Sequence, residues 1–299
     1  MMVVGSIVAG SWLIWPHSLE ITQTKPEKLR VAVSFFPYGE FARAVAGDLA
    51  GVSELVPAGV EPHDFEPTPR DMEQLYRADV VIINGAGIDA WAEKAVRDLP
   101  EHGTRVIRMS QGIDLLSGSD DISQGQPDPH FWLDPVLAEV QVERIAEVLS
   151  EVDPVHQDQY QFQAQAFIGE LRSLDAEYRQ GLATCRLHTV VTSHDAFTYL
   201  AKRYTLKTIA IAGLSPDAEP SPQRLAAIAR QIQELGVRVI FFETLASPKL
   251  AETLAREEHI ETLVFDPTEG APIVNGRRAT YTGLMQENLR NLRRALECL

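Results

Sequence analysis

The chain is 299 residues long, 45% hydrophobic and 23% charged, which leaves room for two globular domains and fits neither a disordered nor a fibrous protein. A formal net charge of −15 argues against a nucleic-acid partner, because no sizeable basic face survives that balance, and it suits cationic partners. Its two cysteines, Cys185 and Cys298, form no C-x-x-C pair, which excludes a thiolate zinc site or a dithiol redox motif; one disulfide or two separate buried thiols are equal alternatives.

Residues 2–15, MVVGSIVAGSWLIW, carry no charge and have the length of a signal-peptide core, although no Lys or Arg precedes them and no A-x-A site follows. The alternative is a buried apolar segment. The polar ITQTKPEKLR that follows favours a leader over residues 1–28 and therefore export, and no other stretch is fit to cross a membrane.

From residue 29 the pattern alternates. Strands are expected at LRVAVSFF (29–36), VSELVP (52–57), DVVIING (79–85) and TRVIRMS (104–110), separated by helices. The strongest helix start is TPRDMEQLYRA, with Thr68 as cap, Pro69 in the first helical position and Asp71 in the first turn. A helix follows Pro135, and Asp153-Pro154 interrupts it. Phe167, Leu171, Leu174, Tyr178 and Leu182 then recur as one apolar stripe on a long helix that is otherwise polar. A second alternating unit begins at LHTVVTSH (187–194) and continues through KTIAIAG, VRVIFFET and TLVFDP. Ser221-Pro222 and Ser247-Pro248 are expected to start its helices, and a last helix runs from about residue 280. The fold expected is α/β: two (βα) lobes with mostly parallel sheets, at 29–153 and 185–299, joined by one long rigid helix over 154–184.

Open α/β sheets collect ligands beyond the C-terminal ends of their strands. His63, His194 and Asp266 fall at such ends, and His130, bracketed in DPHFWLDP by two Asp-Pro pairs, falls where the lobes should meet. Singly, a histidine in a proline-rich loop is a surface residue, and Asp266 before Pro267 is equally a turn-initiating aspartate. Together they outline one metal site in the inter-lobe cleft. A helix start just after His194 is expected to disfavour its imidazolium and keep the ring neutral, the form a metal requires. Glu243, ending VIFFE, either supports a ligand or caps the next helix. His17, His102, His156, His188 and His259 lack this placement. No G-x-G-x-x-G, P-loop, G-x-S-x-G or H-E-x-x-H occurs, which weighs against nucleotide binding, an α/β-hydrolase and a zincin protease.

EPHDFEPTPRD, NGAGIDAWAEK, DPHFWLDP, TSHDAFTYLAKRY, FFETLASPKLAETLARE and FDPTEG…YTGLMQENLRNL occur in that order from about residue 30 to the C-terminus. They resemble the successive motifs of the zinc/manganese solute-binding proteins of ABC transporters. The resemblance implies two lobes on a single helix, one ion between them, His63, His130 and His194 as imidazole ligands and Asp266 as the carboxylate. It implies a monomeric exported receptor, no enzyme, that delivers its ion to a membrane permease. A histidine in the third position points to Zn2+, whereas the acidic loop GIDLLSGSDDISQGQPD, without histidine, departs from many zinc members and keeps Mn2+ as the alternative. A metal-dependent hydrolase using Glu243 as base, and a metal-binding adhesin on the same fold, are the readings from other classes.

Overall fold

In the first lobe β1 (Leu29–Val33), β2 (Ala50–Glu54), β3 (Val80–Ile83) and β4 (Arg105–Arg108) form one parallel sheet in the order β2-β1-β3-β4, with α1 (Phe36–Ala46), α2 (Pro69–Tyr76) and α3 (Ala90–Ala95) between successive strands. The structure is a computed structural model that describes residues 28–97, 99–118, 125–274 and 277–299. The central strand β3 is VVII, buried along its whole length, as a β-branched run covered on both faces should be. Helix α2 opens on a reciprocal capping box: Asp71 N–H donates to Thr68 Oγ1, and Thr68 N–H donates to the Asp71 carboxylate.

Two helices follow. Asp134 caps α4 (Pro135–Val152) by accepting from Val136 N–H, and the Asp153-Pro154 break leads into the 26-residue α5 (Gln157–Leu182). At 1.5 Å per residue α5 is about 39 Å long. Its buried stripe is Tyr160, Ala164, Ile168, Leu171, Leu174, Tyr178 and Leu182, with Phe167 half-buried beside it. One end packs on α1 and α4, the other on the C-terminal helix.

The second lobe repeats the first. Strands β5 (Thr189–Thr192), β6 (Lys207–Ala210), β7 (Val239–Phe242) and β8 (Glu261–Val264) form a parallel sheet in the order β6-β5-β7-β8, with α6 (Thr198–Arg203), α7 (Pro222–Leu235) and α8 (Lys249–Glu258) between them. A small antiparallel hairpin, β9 (Ile273–Val274) and β10 (Arg277–Arg278), precedes α9 (Tyr281–Ala295). Ser221 caps α7 as expected, but Ser247 does not cap α8: Pro248 has helical dihedrals and takes the cap position, which leaves the serine one residue too early. Cys185 and Cys298 form a disulfide that ties the entry of this lobe to the end of α9.

One apolar core runs through both lobes and α5, and it includes Phe35, Phe41, Trp132, Tyr178, Phe197 and Phe265. This continuity fixes the lobes against each other more firmly than a lone linking helix would. Among the described residues no helix is long and apolar enough to cross a membrane; the expected leader lies outside them except for Lys28.

Candidate metal centre

In each sheet the strand order reverses beside the first strand, and loops that follow β2, β5 and β8 carry His63, His194 and Glu269 to one place. After β2 the chain turns through Glu61 and Pro62, and Glu61 accepts from His63 N–H at 3.2 Å. This brings His63 into the cleft with a side chain 10% exposed. His130 is fully buried. Asp128 Oδ1 accepts from both its backbone N–H (2.9 Å) and its Nδ1 (2.8 Å), so the Asp-Pro bracket fixes the ring and leaves Nε2 free to face the cleft. Asp134, the second bracket, serves α4 instead. His194 lies two residues beyond β5, and its Nδ1 lies 2.7 Å from Oε1 of Glu243, the residue just after β7. Glu243 thus supports the imidazole and is no helix cap. Both buried rings have a carboxylate on Nδ1 and present Nε2 to a common point, the arrangement that orients histidines towards a metal.

The structure brings His63, His130 and His194 together, but their carboxylate partner is Glu269, not Asp266. The three Nε2 atoms and a Glu269 oxygen all lie within 4.8 Å of one another. His130 Nε2 is 3.3 Å from His63 Nε2 and 3.4 Å from His194 Nε2. Glu269 Oε1 is 3.2, 3.7 and 3.7 Å from the Nε2 atoms of His130, His63 and His194.

Asp266 stands out of this cluster because one carboxylate oxygen is engaged by the local turn and the other by the loop after β7. Oδ1 accepts from Thr268 N–H at 2.7 Å and Oδ2 accepts from the Thr244 hydroxyl. Its backbone N–H and C=O are both bonded by the Asn288 side chain of α9. The turn it initiates passes through Thr268, whose φ of 54° is unusual for a β-branched residue, and swings Glu269 inward. Asp266 thus takes the turn-initiating role that an aspartate before proline allows, while nothing in the sequence alone marks Glu269 over it.

Charge is unevenly shared. Burial works against protonation of His130, but Asp128 and Glu269 outweigh it and raise its pKa to about 9. Burial likewise opposes charge on His194, yet Glu243 and Glu269 hold it well above the usual imidazole value. This corrects the expectation of a neutral ring; the short α6 starts four residues away, and the two carboxylates dominate. Burial lowers His63. Burial would raise Glu269, but the three histidines hold it well below the ordinary carboxylate range. Burial first, then Glu269, pushes Glu61 up to about 8. A cavity of about 600 Å³, lined by His63, Ile88, Pro129 and Leu214 among others, leads from solvent to His63.

Two like α/β lobes enclosing a buried cage of three imidazoles and one carboxylate define a two-lobed, metal-binding receptor class. Residues 31–295 match the family described as ZnuA, zinc-uptake complex component A, periplasmic, and the chain belongs to that family. It is 36% identical over 284 residues to the high-affinity zinc uptake system protein ZnuA of Bacillus subtilis, covering 91% of this chain and 89% of that one. The zinc-bound structure of AdcA from Streptococcus pneumoniae is 36% identical with a TM-score of 0.78, over 91% of this chain and 58% of that one. The laminin-binding protein Lmb of Streptococcus agalactiae, described as having adhesin and metal-transporting activity, is 35% identical with a TM-score of 0.81, over 90% and 99% of the two chains.

Proposed function

We propose that this chain is the extracytoplasmic receptor of an ABC-type zinc importer, binding Zn2+ with high affinity through His63, His130, His194 and Glu269 and passing it to a membrane permease. The observation that carries the reading is the size of the cage. Zinc held tetrahedrally at 2.0–2.1 Å spaces its ligand atoms about 3.3 Å apart. The shortest separations in the cage are 3.2, 3.3 and 3.4 Å. Manganese prefers more oxygen ligands at higher coordination number, which a nitrogen-rich cage of four does not offer. Four protein ligands also fill the tetrahedron, leaving no open position for the water a zinc hydrolase activates, so the role is carriage.

The neutral rings and the Glu269 carboxylate are the donors. His130 and His194 release their protons as the ion enters, and Glu243 adds negative charge beside the site, whereas Glu61, pushed up to about 8, contributes its charge only as it loses its own proton. Every ligand comes from one polypeptide, which supports a monomeric receptor. The division into a lobe at 29–153, a link at 154–184 and a lobe at 185–299 is supported by two separate sheets and by α5 spanning them.

The test is calorimetric titration of chelator-stripped protein with zinc and manganese in competition. One tight site per chain with zinc preferred is expected; manganese preference, or no tight site, overturns the reading. Glu269→Ala should weaken zinc at least about a hundredfold. Asp266→Ala should weaken it less, because it loosens a turn without removing a ligand.

A further inference from the structure

We infer that Trp132 is a positioning residue that holds Glu269 in the cage from across the cleft, so that the fourth ligand is presented only while the two lobes are apposed; the inference rests on Glu269 being a zinc ligand. Trp132 is two residues from His130 on the same single turn of the first lobe, and it is completely buried. Its indole Nε1–H donates to Pro267 O at 2.8 Å and lies 3.1 Å from Thr268 Oγ1. Both acceptors belong to the turn of the second lobe that ends on Glu269. The Tyr281 hydroxyl, on α9, donates at 2.6 Å to the Trp132 carbonyl, so the residue is gripped on two sides by the second lobe.

Its ring is equally fixed within the first lobe, edge-on to Phe35 at the end of β1 (5.1 Å between centroids) and tilted against His130 (5.3 Å). One rigid unit therefore sets the place of His130 directly and that of Glu269 through the indole N–H. The turn needs such a hold. Thr268 is buried at a φ of 54°, a conformation that costs a β-branched residue energy and persists only where its surroundings impose it. Glu269 Oε1 faces the three imidazoles at 3.2 to 3.7 Å, but neither carboxylate oxygen is bonded by its own turn, so its approach to the rings depends on how that turn is held. Asn288 secures the start of the turn and Asp266 its Thr268 N–H from within the second lobe; Trp132 adds the hold on Pro267 and Thr268 from the first lobe.

The test is a double-mutant cycle read by zinc competition against a chromophoric chelator. Trp132→Phe keeps a flat ring and removes the N–H. It should weaken zinc roughly tenfold, the usual consequence of leaving buried acceptors without their donor, and should speed zinc loss to excess chelator. In the Glu269→Ala background the same change should alter affinity less than about twofold, since contacting groups couple in such cycles. The visible spectrum of the Co2+-loaded Trp132→Phe protein should shift towards that of Glu269→Ala. An equal loss in both backgrounds overturns the inference and leaves Glu269 a ligand. No loss in Glu269→Ala alone removes the ligand reading and the inference with it. Should Trp132→Phe fold poorly, Thr268→Val, which removes one of the two acceptors and keeps the branched shape, must show a smaller loss that also vanishes without Glu269; a loss that persists has the same overturning force.

Discussion

Replacing Glu243 by Gln keeps an oxygen facing His194 Nδ1 and deletes the charge. In the structure Glu243 Oε1 is 2.7 Å from Nδ1, and the two side chains are 2% and 0% exposed, so the pair is shielded from solvent. An ion on the far side of the ring would sit about 6 Å from the carboxylate, where an effective dielectric of about 20 gives a dication a gross attraction of about 5 kcal/mol. The proton that zinc displaces from His194 is closer, about 4 Å away, and the same carboxylate favours that single charge by about 4 kcal/mol. The net contribution to zinc binding at neutral pH is therefore about 1 kcal/mol, plus a similar amount for the weaker orienting bond of a neutral acceptor. Glu243→Gln should thus weaken zinc about ten- to thirtyfold at pH 7. Because the offsetting proton is lost as pH rises, the deficit should widen in alkali. Chelator competition at pH 7 and pH 9 with matched ionic strength measures both. Affinity within twofold of the unsubstituted protein at both pH values would refute the reasoning, as would a deficit that narrows with pH.

The raised pKa of about 9 on His130 means that this ring is protonated in the metal-free protein at neutral pH. Apparent zinc affinity should therefore rise about tenfold per pH unit from this ring alone until about pH 9 and then flatten, and calorimetry in buffers of differing ionisation enthalpy should show proton release at pH 7; binding without proton release contradicts it. Arg203 Nε lies 3.1 Å from Asp134 and 2.8 Å from Asp175, linking α6, α4 and α5, all three side chains being largely buried. Arg203→Ala removes the cation shared by two carboxylates, leaving Asp134 its helix cap and Asp175 its Arg179 and Tyr204 partners, and should cost about 2 kcal/mol, a fall in Tm of roughly 4–8 °C. Burial raises the Asp175 carboxyl, but Arg203, Arg179 and Tyr204 outweigh it and leave its pKa lowered. Its stabilising share is therefore present above the unfolded pKa and lost as pH falls through the folded one, and Arg203→Ala should flatten that acid loss in melts taken from pH 7 downward. Reducing the Cys185–Cys298 disulfide, which spans 113 residues, should lower stability by about 2–5 kcal/mol and leave zinc affinity within twofold; a large affinity loss would mean that the second lobe distorts as far as the cage.

Thr68-Pro69-x-Asp71 specified its own helix cap, and Ser221-Pro222 did the same, because capping is settled within four residues of chain. Ser247-Pro248 shows the limit of that logic: the same residues sit one position early once Pro248 adopts helical dihedrals. The paired strands β9 and β10 have no signature in the sequence, because strands of two residues carry no periodicity.

His63, His130 and His194 could be picked from the chain because the strand and helix pattern places them at strand ends and at the lobe junction, and strand ends are where open sheets bind. The choice between Asp266 and Glu269 was different in kind. They are three residues apart in one loop, equally acidic and equally close to a strand end. What separates them is a set of partners remote in sequence: Thr244 and Asn288 consume the polar groups of Asp266, while the three rings converge on Glu269. The charge state of His194 was likewise settled by Glu243 and Glu269, 49 and 75 residues onward, and not by the nearby helix start. The amino-acid sequence determined the two alternating lobes, the long apolar stripe between them and the three imidazoles, because periodicity and turn chemistry act over short range. Only the tertiary structure decided which carboxylate completes the cage and how its charges stand, because those follow from through-space contacts between groups far apart along the chain.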